Sequence, residues 1–85
     1  MNVLEEVLAA INEIKRTGFT VDSVELDFYL GGDLGIDSRE MLEIWYEIEQ
    51  RLNIRVADAD KRDRYTLQHV SDVVRMHLGD KAAVV

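Results

Sequence analysis

The chain contains no cysteine. That rules out a disulfide framework, a thiolate metal site and a cysteine nucleophile. Proline is also absent, so there is no proline-set kink and no proline-rich linker. No long apolar run interrupts the sequence, and its first residues lack a signal-peptide pattern. No membrane association is expected, and a cytoplasmic location is the default. Basic residues are scarce: ten Lys and Arg stand against 17 Asp and Glu, for a formal net charge of -7. Nucleic acid is therefore a poor partner, and partners with basic surfaces are a better match. At 85 residues the chain is one small domain. A chain of this size buries only about 60% of its unfolded surface, which leaves a thin core and little room for a deep catalytic cleft.

What is present is mostly helical period. In residues 2–16, Val3, Leu4, Val7, Leu8, Ile11 and Ile14 form one apolar stripe. Asn2 is placed to cap it, with Glu5 suited to a capping box, Lys15 and Arg16 at the negative end, and Gly18 as the stop. Residues 17–37 are too long for a plain turn, and connections of that size are often functional. Eight apolar residues (Phe19, Val21, Val24, Leu26, Phe28, Leu30, Leu34 and Ile36) are expected to pin this loop to the core. Gly31, Gly32 and Gly35 would supply its unusual backbone angles.

The second helix is read from Ser38 to Leu52, with Met41, Ile44, Trp45, Ile48 and Leu52 inward. Asn53 is its stop. A short helical turn is expected within residues 57–64. The last helix opens at Thr66, buries Leu67, Val70, Val73 and Val74, and is expected to end at Gly79. Residues 1–79 make the domain, and residues 80–85 are expected to be a flexible tail. The predicted fold is all-α: a small four-helix bundle of three main helices and one short one, with a long loop between the first two.

The stretch LGGDLGIDSREMLEIWYEIEQ, residues 30–50, carries the chemical interest. Ser38 stands where the loop becomes helix, and a serine there ordinarily caps. Asp37 is the better candidate, because Glu40 three residues on completes a D-x-x-E box. Ser38 would then be the first helical residue, with a free hydroxyl at the electropositive end of the helix, a position that favours an anionic group. On the residues alone the capping reading leads.

The run Asp33, Leu34, Gly35, Ile36, Asp37, Ser38, followed by an amphipathic helix, resembles the attachment motif of acyl carrier proteins. The likeness continues through Glu43 and Glu49 to Thr66 and Leu67. It implies that Ser38 carries a 4'-phosphopantetheine arm taken from coenzyme A, with Asp37 as helix cap and recognition element for a phosphopantetheinyl transferase. It also implies a monomeric, non-catalytic carrier that presents acyl thioesters to loading, condensing or acyltransferase enzymes.

Between residues 33 and 50 six carboxylates face one cation, Arg39, a local charge of -5 within the total of -7. In similar carriers this helix docks on basic patches of partner enzymes. Arg39, Glu40, Leu42, Glu43, Tyr46, Glu47 and Glu49 are the expected docking residues here. Leu42 and Tyr46 lie on the flank of the helix, and are equally well read as edge-of-core or partner-facing. Arg39 departs from the family pattern, which usually has an apolar residue after the serine. Together with the mixed charge of residues 57–64, it leans towards a polyketide or other secondary-metabolite pathway. A fatty-acid carrier, an aminoacyl or peptidyl carrier and an unmodified helical adaptor are the alternatives. His69 and His77 are expected to be surface or capping residues, and the acids lack the register of a calcium loop, so no metal site is expected.

Overall fold

The computed structural model describes residues 2–83, with side chains through Gly79. Four helices follow in order: α1 Val3–Lys15, α2 Ser38–Leu52, α3 Asp58–Lys61 and α4 Leu67–Ala83. No strand occurs among the described residues; a lone antiparallel bridge joins Tyr29 to Thr66. The all-helical bundle with a long first connection is as the hydrophobic period predicts.

The core forms where the stripes meet. Val7, Leu8 and Ile11 of α1 pack with Ile44, Trp45 and Ile48 of α2 and with Leu67, Val70 and Val74 of α4. Trp45, the largest of these, is 1% exposed. Asn2 Oδ1 accepts from Glu5 N at 3.2 Å, which is the side-chain half of the expected box at α1. The end of α1 differs from expectation. Arg16, not Gly18, takes the left-handed conformation, at φ 56°, and its N–H donates to Asn12 O. The Asn12 side chain explains why the chain turns so early: its Nδ2 donates to Phe19 O and its Oδ1 accepts from Phe19 N, both at 2.9 Å. One side chain thereby stands in for a turn of backbone pairing.

The long loop is built into the fold. Val24, Leu30, Leu34 and Ile36 are buried, and Phe19, Val21 and Phe28 pack against the core. Leu26 is the exception: its side chain is 38% exposed, because its backbone is used instead. Leu26 O accepts from Gln68 N at 2.9 Å and Phe28 O accepts from Leu67 N at 3.2 Å. These carbonyls satisfy first-turn amides of α4 that no residue of the helix can reach. Thr66 Oγ1 accepts from His69 N at 3.2 Å, the cap expected of it.

Two further expectations are corrected. Among the loop glycines only Gly35 has a positive φ, +70°. Gly79 does not stop α4, which continues to Ala83, because nothing there supplies a left-handed cap. The helix thus takes in residues 80–83 of the predicted tail, and residues 84 and 85 lie outside the described residues. No described helix is long and apolar enough to cross a membrane.

A left-handed conformation costs a non-glycine residue roughly 1–2 kcal/mol, partly offset in glycine by greater unfolded-state entropy of about 0.5–1 kcal/mol. Arg16 is exposed and has no side-chain partner among the described residues. Arg16→Gly should therefore raise the unfolding free energy by about 0.5–1 kcal/mol, read as a higher urea midpoint at unchanged slope. A lower midpoint would show that Arg16 carries an interaction worth more than its backbone strain.

Candidate functional site at the start of the second helix

The loop closes on itself just before α2. Asp33 N and Leu34 N both donate to Tyr29 O, at 3.0 and 3.2 Å, and Ile36 N donates to Leu30 O at 2.9 Å. Asp33 Oδ2 accepts from Tyr29 N at 2.7 Å, so this acid is occupied in holding the turn. Leu30 N donates to Tyr65 O at 2.8 Å, which ties the turn to the segment ahead of α4. The chain then enters α2 at a fixed place and angle.

Asp37 caps the helix. Its Oδ1 accepts from Glu40 N at 2.8 Å, and Glu40 Oε1 accepts from Asp37 N at 3.0 Å. This is the reciprocal box the sequence predicts. A third member comes from α1: Lys15 Nζ lies 3.1 Å from both Glu40 carboxylate oxygens and donates to Gly35 O at 2.8 Å. Lys15 had a sequence signal only as a cation at the end of α1; nothing local pairs it with a residue 25 positions away.

Because Asp37 caps, Ser38 does not. It is the first residue of α2, exposed, and its hydroxyl engages no group among the described residues. The free N–H groups and partial positive charge of the helix end lie beside it. A groove of about 540 Å³ opens on one side of it, floored by Leu30, Ile36 and Met41 and edged by Tyr29, Arg64 and Tyr65. A second groove of about 410 Å³ opens on the other side, between α2 and α3, lined by Met41, Leu42, Trp45, Asp58, Lys61 and Arg62. Trp45 Nε1 is buried there without an acceptor among the described residues.

With this geometry in view, the comparisons with known proteins are informative. No family model matches the chain. An acyl carrier protein of Arthrobacter sp. is 36% identical over 72 residues, covering 82% of this chain and 85% of its own. One of Beutenbergia cavernae is 34% identical over 80 residues, covering 92% and 94%. The chain belongs to the acyl carrier protein family. It is also 35% identical over 83 residues to part of a much larger protein of Thraustochytrium sp., a polyunsaturated fatty acid synthase subunit, covering 96% of this chain but 3% of that protein.

The remaining residues picked from the sequence fall into two groups in this carrier fold. Leu42 and Tyr46 are 67% and 64% exposed, one turn apart, so neither is an edge-of-core residue. Arg39 and Glu43 are exposed beside them, with no ion pair among the described residues. The other acids are engaged within the fold. Glu40 belongs to the capping network, and Glu47 pairs with Arg51 at 3.2 Å. Glu49 pairs with Lys61 at 2.9 Å and accepts from Val56 N at 3.2 Å, which fixes the connection into α3. His69 Nδ1 accepts from Tyr65 N at 3.0 Å, a capping role as expected. His77 is half-buried: its Nδ1 lies 2.9 Å from Val73 O and its Nε2 3.4 Å from Asp60, joining α4 to α3. Tyr65 donates from its hydroxyl to Asp63 at 2.8 Å; that hydrogen bond, with the nearby negative charge, raises the phenol above its ordinary pKa.

Asp37 and Ser38 thus have opposite mutational signatures. Asp37→Ala is expected to cost about 1 kcal/mol or somewhat more, as loss of a cap does. Ser38→Ala should change stability by less than about 0.5 kcal/mol. Chemical denaturation of the two variants checks this, and the reverse ranking would make Ser38 the cap.

Proposed function

We propose that Ser38 is the attachment point of a 4'-phosphopantetheine arm and that the protein is a non-catalytic acyl carrier. The observation that carries this is the division of labour at the head of α2: Asp37 and Glu40 satisfy the helix end, and the adjacent Ser38 hydroxyl is exposed and uncommitted. The residues fit the group. A phosphodiester on Ser38 would lie against the N–H groups and positive end of α2, which stabilise an anion. Either flanking groove could receive the body of the arm. When attached, the arm supplies a thiol on which acyl groups are held as thioesters. The chain's own residues present and orient: α2 sets the direction in which Ser38 projects, and Asp37 keeps that helix end from fraying.

The transferase that modifies Ser38 and the enzymes that load, extend or release the acyl group are the proposed partners, met by a cytoplasmic monomer. They would dock on α2 through Leu42 and Tyr46, with Arg39, Glu40, Glu43, Glu47 and Glu49 around them. Two exposed apolar side chains rimmed by charge suit fast, weak and salt-sensitive encounters. The cargo belongs to a polyketide-type or related chain-building pathway. Arg39 supports this, and so does the likeness across 83 residues to a segment of a protein named for polyunsaturated fatty acid synthesis. Nothing favours the unmodified adaptor or the aminoacyl carrier over this reading.

Intact-mass analysis tests the attachment. Incubation with coenzyme A, magnesium and a phosphopantetheinyl transferase should add one arm to the wild type and none to Ser38→Ala, which should keep its fold. An unshifted wild-type mass with several transferases would overturn the assignment. Leu42→Ala and Tyr46→Ala should each leave the melting temperature unchanged and lower turnover by a partner enzyme several-fold; unchanged turnover would remove those two residues from the docking surface.

A further inference from the structure

Of the two grooves beside Ser38, the one on the loop side presents a half-buried cation with no carboxylate partner among the described residues. Between α2 and α3, Lys61 is already neutralised by Glu49 at 2.9 Å and by Asp58 at 3.9 Å. Asp58 and Arg62, both exposed, also line that groove, and the Trp45 ring occupies its inner wall. The groove on the loop side is different. Its cation is Arg64, half-buried, whose Nε donates to Asp60 O at 2.8 Å. That bond fixes the guanidinium plane and leaves its two terminal nitrogens without a partner among the described residues. The one carboxylate lining this groove, Asp37, is turned to Glu40 N as the helix cap. Beside Arg64, Tyr65 is held through its hydroxyl by Asp63 and through its backbone by His69 and Leu30.

A rigid, half-buried guanidinium above an apolar floor selects an anionic oxygen group. Its N–H fork pairs with a carboxylate, and the low-dielectric floor strengthens the attraction. A plain alkyl end would leave the guanidinium unpaired. We propose that this groove is a cargo subsite in which Arg64 holds the terminal carboxylate of a short acyl group, such as a malonyl-type half-thioester. The inference rests on Ser38 as the attachment point and goes beyond it by naming the class of cargo that the carrier shelters. Leu30, Ile36 and Met41 cover the methylene part, and Tyr29 and Tyr65 wall the groove. The arm's own phosphodiester is the other anion within the reach of Arg64, so the unacylated form is part of the test.

Isotope-labelled protein is loaded from coenzyme A, propionyl-coenzyme A and malonyl-coenzyme A. The latter two acyl groups have three carbons each and differ in a methyl against a carboxylate. Intact mass verifies each form before and after spectra of the arginine Nε–H, tryptophan indole and backbone amide signals are recorded. The expected result is a shift of the Arg64 Nε–H and of the Tyr29 and Tyr65 amides in the malonyl form alone, lost in the malonyl form of Arg64→Gln. Equal shifts in the malonyl and propionyl forms would overturn the selection, as would malonyl-specific shifts confined to Trp45 and Leu42. An Arg64 shift already complete in the unacylated form would assign the guanidinium to the phosphodiester and overturn the cargo subsite. Absence of any mass gain would overturn the attachment at Ser38 itself, and this inference with it.

Discussion

The structure turns on the network that closes the head of α2. Asp37 and Glu40 each satisfy the other's backbone N–H, and Lys15 crosses from the end of α1 to hold both Glu40 and the carbonyl of Gly35. As a partly exposed ion pair, Lys15–Glu40 would contribute roughly 0–1 kcal/mol. Its value lies in position rather than in energy. It joins three elements at one point: the last turn of α1, the end of the long loop and the first turn of α2. With the helix end satisfied in this way, the next residue has no structural duty, and that residue is Ser38.

The long loop can be ordered without a strand or helix of its own because it exchanges hydrogen bonds with α4. Carbonyls at 26 and 28 receive first-turn amides of α4, and Leu30 N returns a bond to Tyr65 O. Each of these pairs meets a need on both sides, since a buried backbone group left unpaired costs about 1–3 kcal/mol. The same stitching brings residues 64 and 65 alongside residues 29–31, so the groove beside Ser38 is a by-product of how α4 is capped. Fold and site thus share their backbone hydrogen bonds.

What could be read from the sequence follows the range of the interactions. The three long helices, the capping box at Asp37 and the left-handed stop at Asn53 are local, set by residues within four positions of one another, and they stand where the period and cap signals put them. Errors arise where a non-local or side-chain bond replaces a local signal. Asn12 turns the chain before Gly18 can, and Leu26 gives its carbonyl to α4 and leaves its side chain in water. Gly79 is simply carried along within a helix that has no reason to stop. Residues around the site divide in the same way. Ser38 and Asp37 belong to a contiguous motif, whereas Lys15 and Arg64 reach the same spot through folding, across separations that no periodicity encodes.

Charge shows most clearly why a sequence count misleads about a surface. Residues 33–50 carry six acids, yet most of them are engaged within the fold: Asp33 in a turn, Asp37 and Glu40 in the cap, Glu47 with Arg51 and Glu49 with Lys61. Glu43 alone is exposed without such a role among the described residues. The arginines nearest Ser38 are arranged the other way. Arg39, Arg62 and Arg64 have no carboxylate partner among the described residues. Along the body of α2 only Glu43 remains as an unpaired acid among the described residues, while three arginines without carboxylate partners stand near Ser38, so the local sequence charge of -5 overstates the negative charge that this surface presents. The pairing of Glu40 with Lys15 of α1, of Glu49 with Lys61 of α3 and of Glu47 with Arg51 one turn along α2 thus decides how much of that charge the fold leaves uncompensated, which no count of residues reveals.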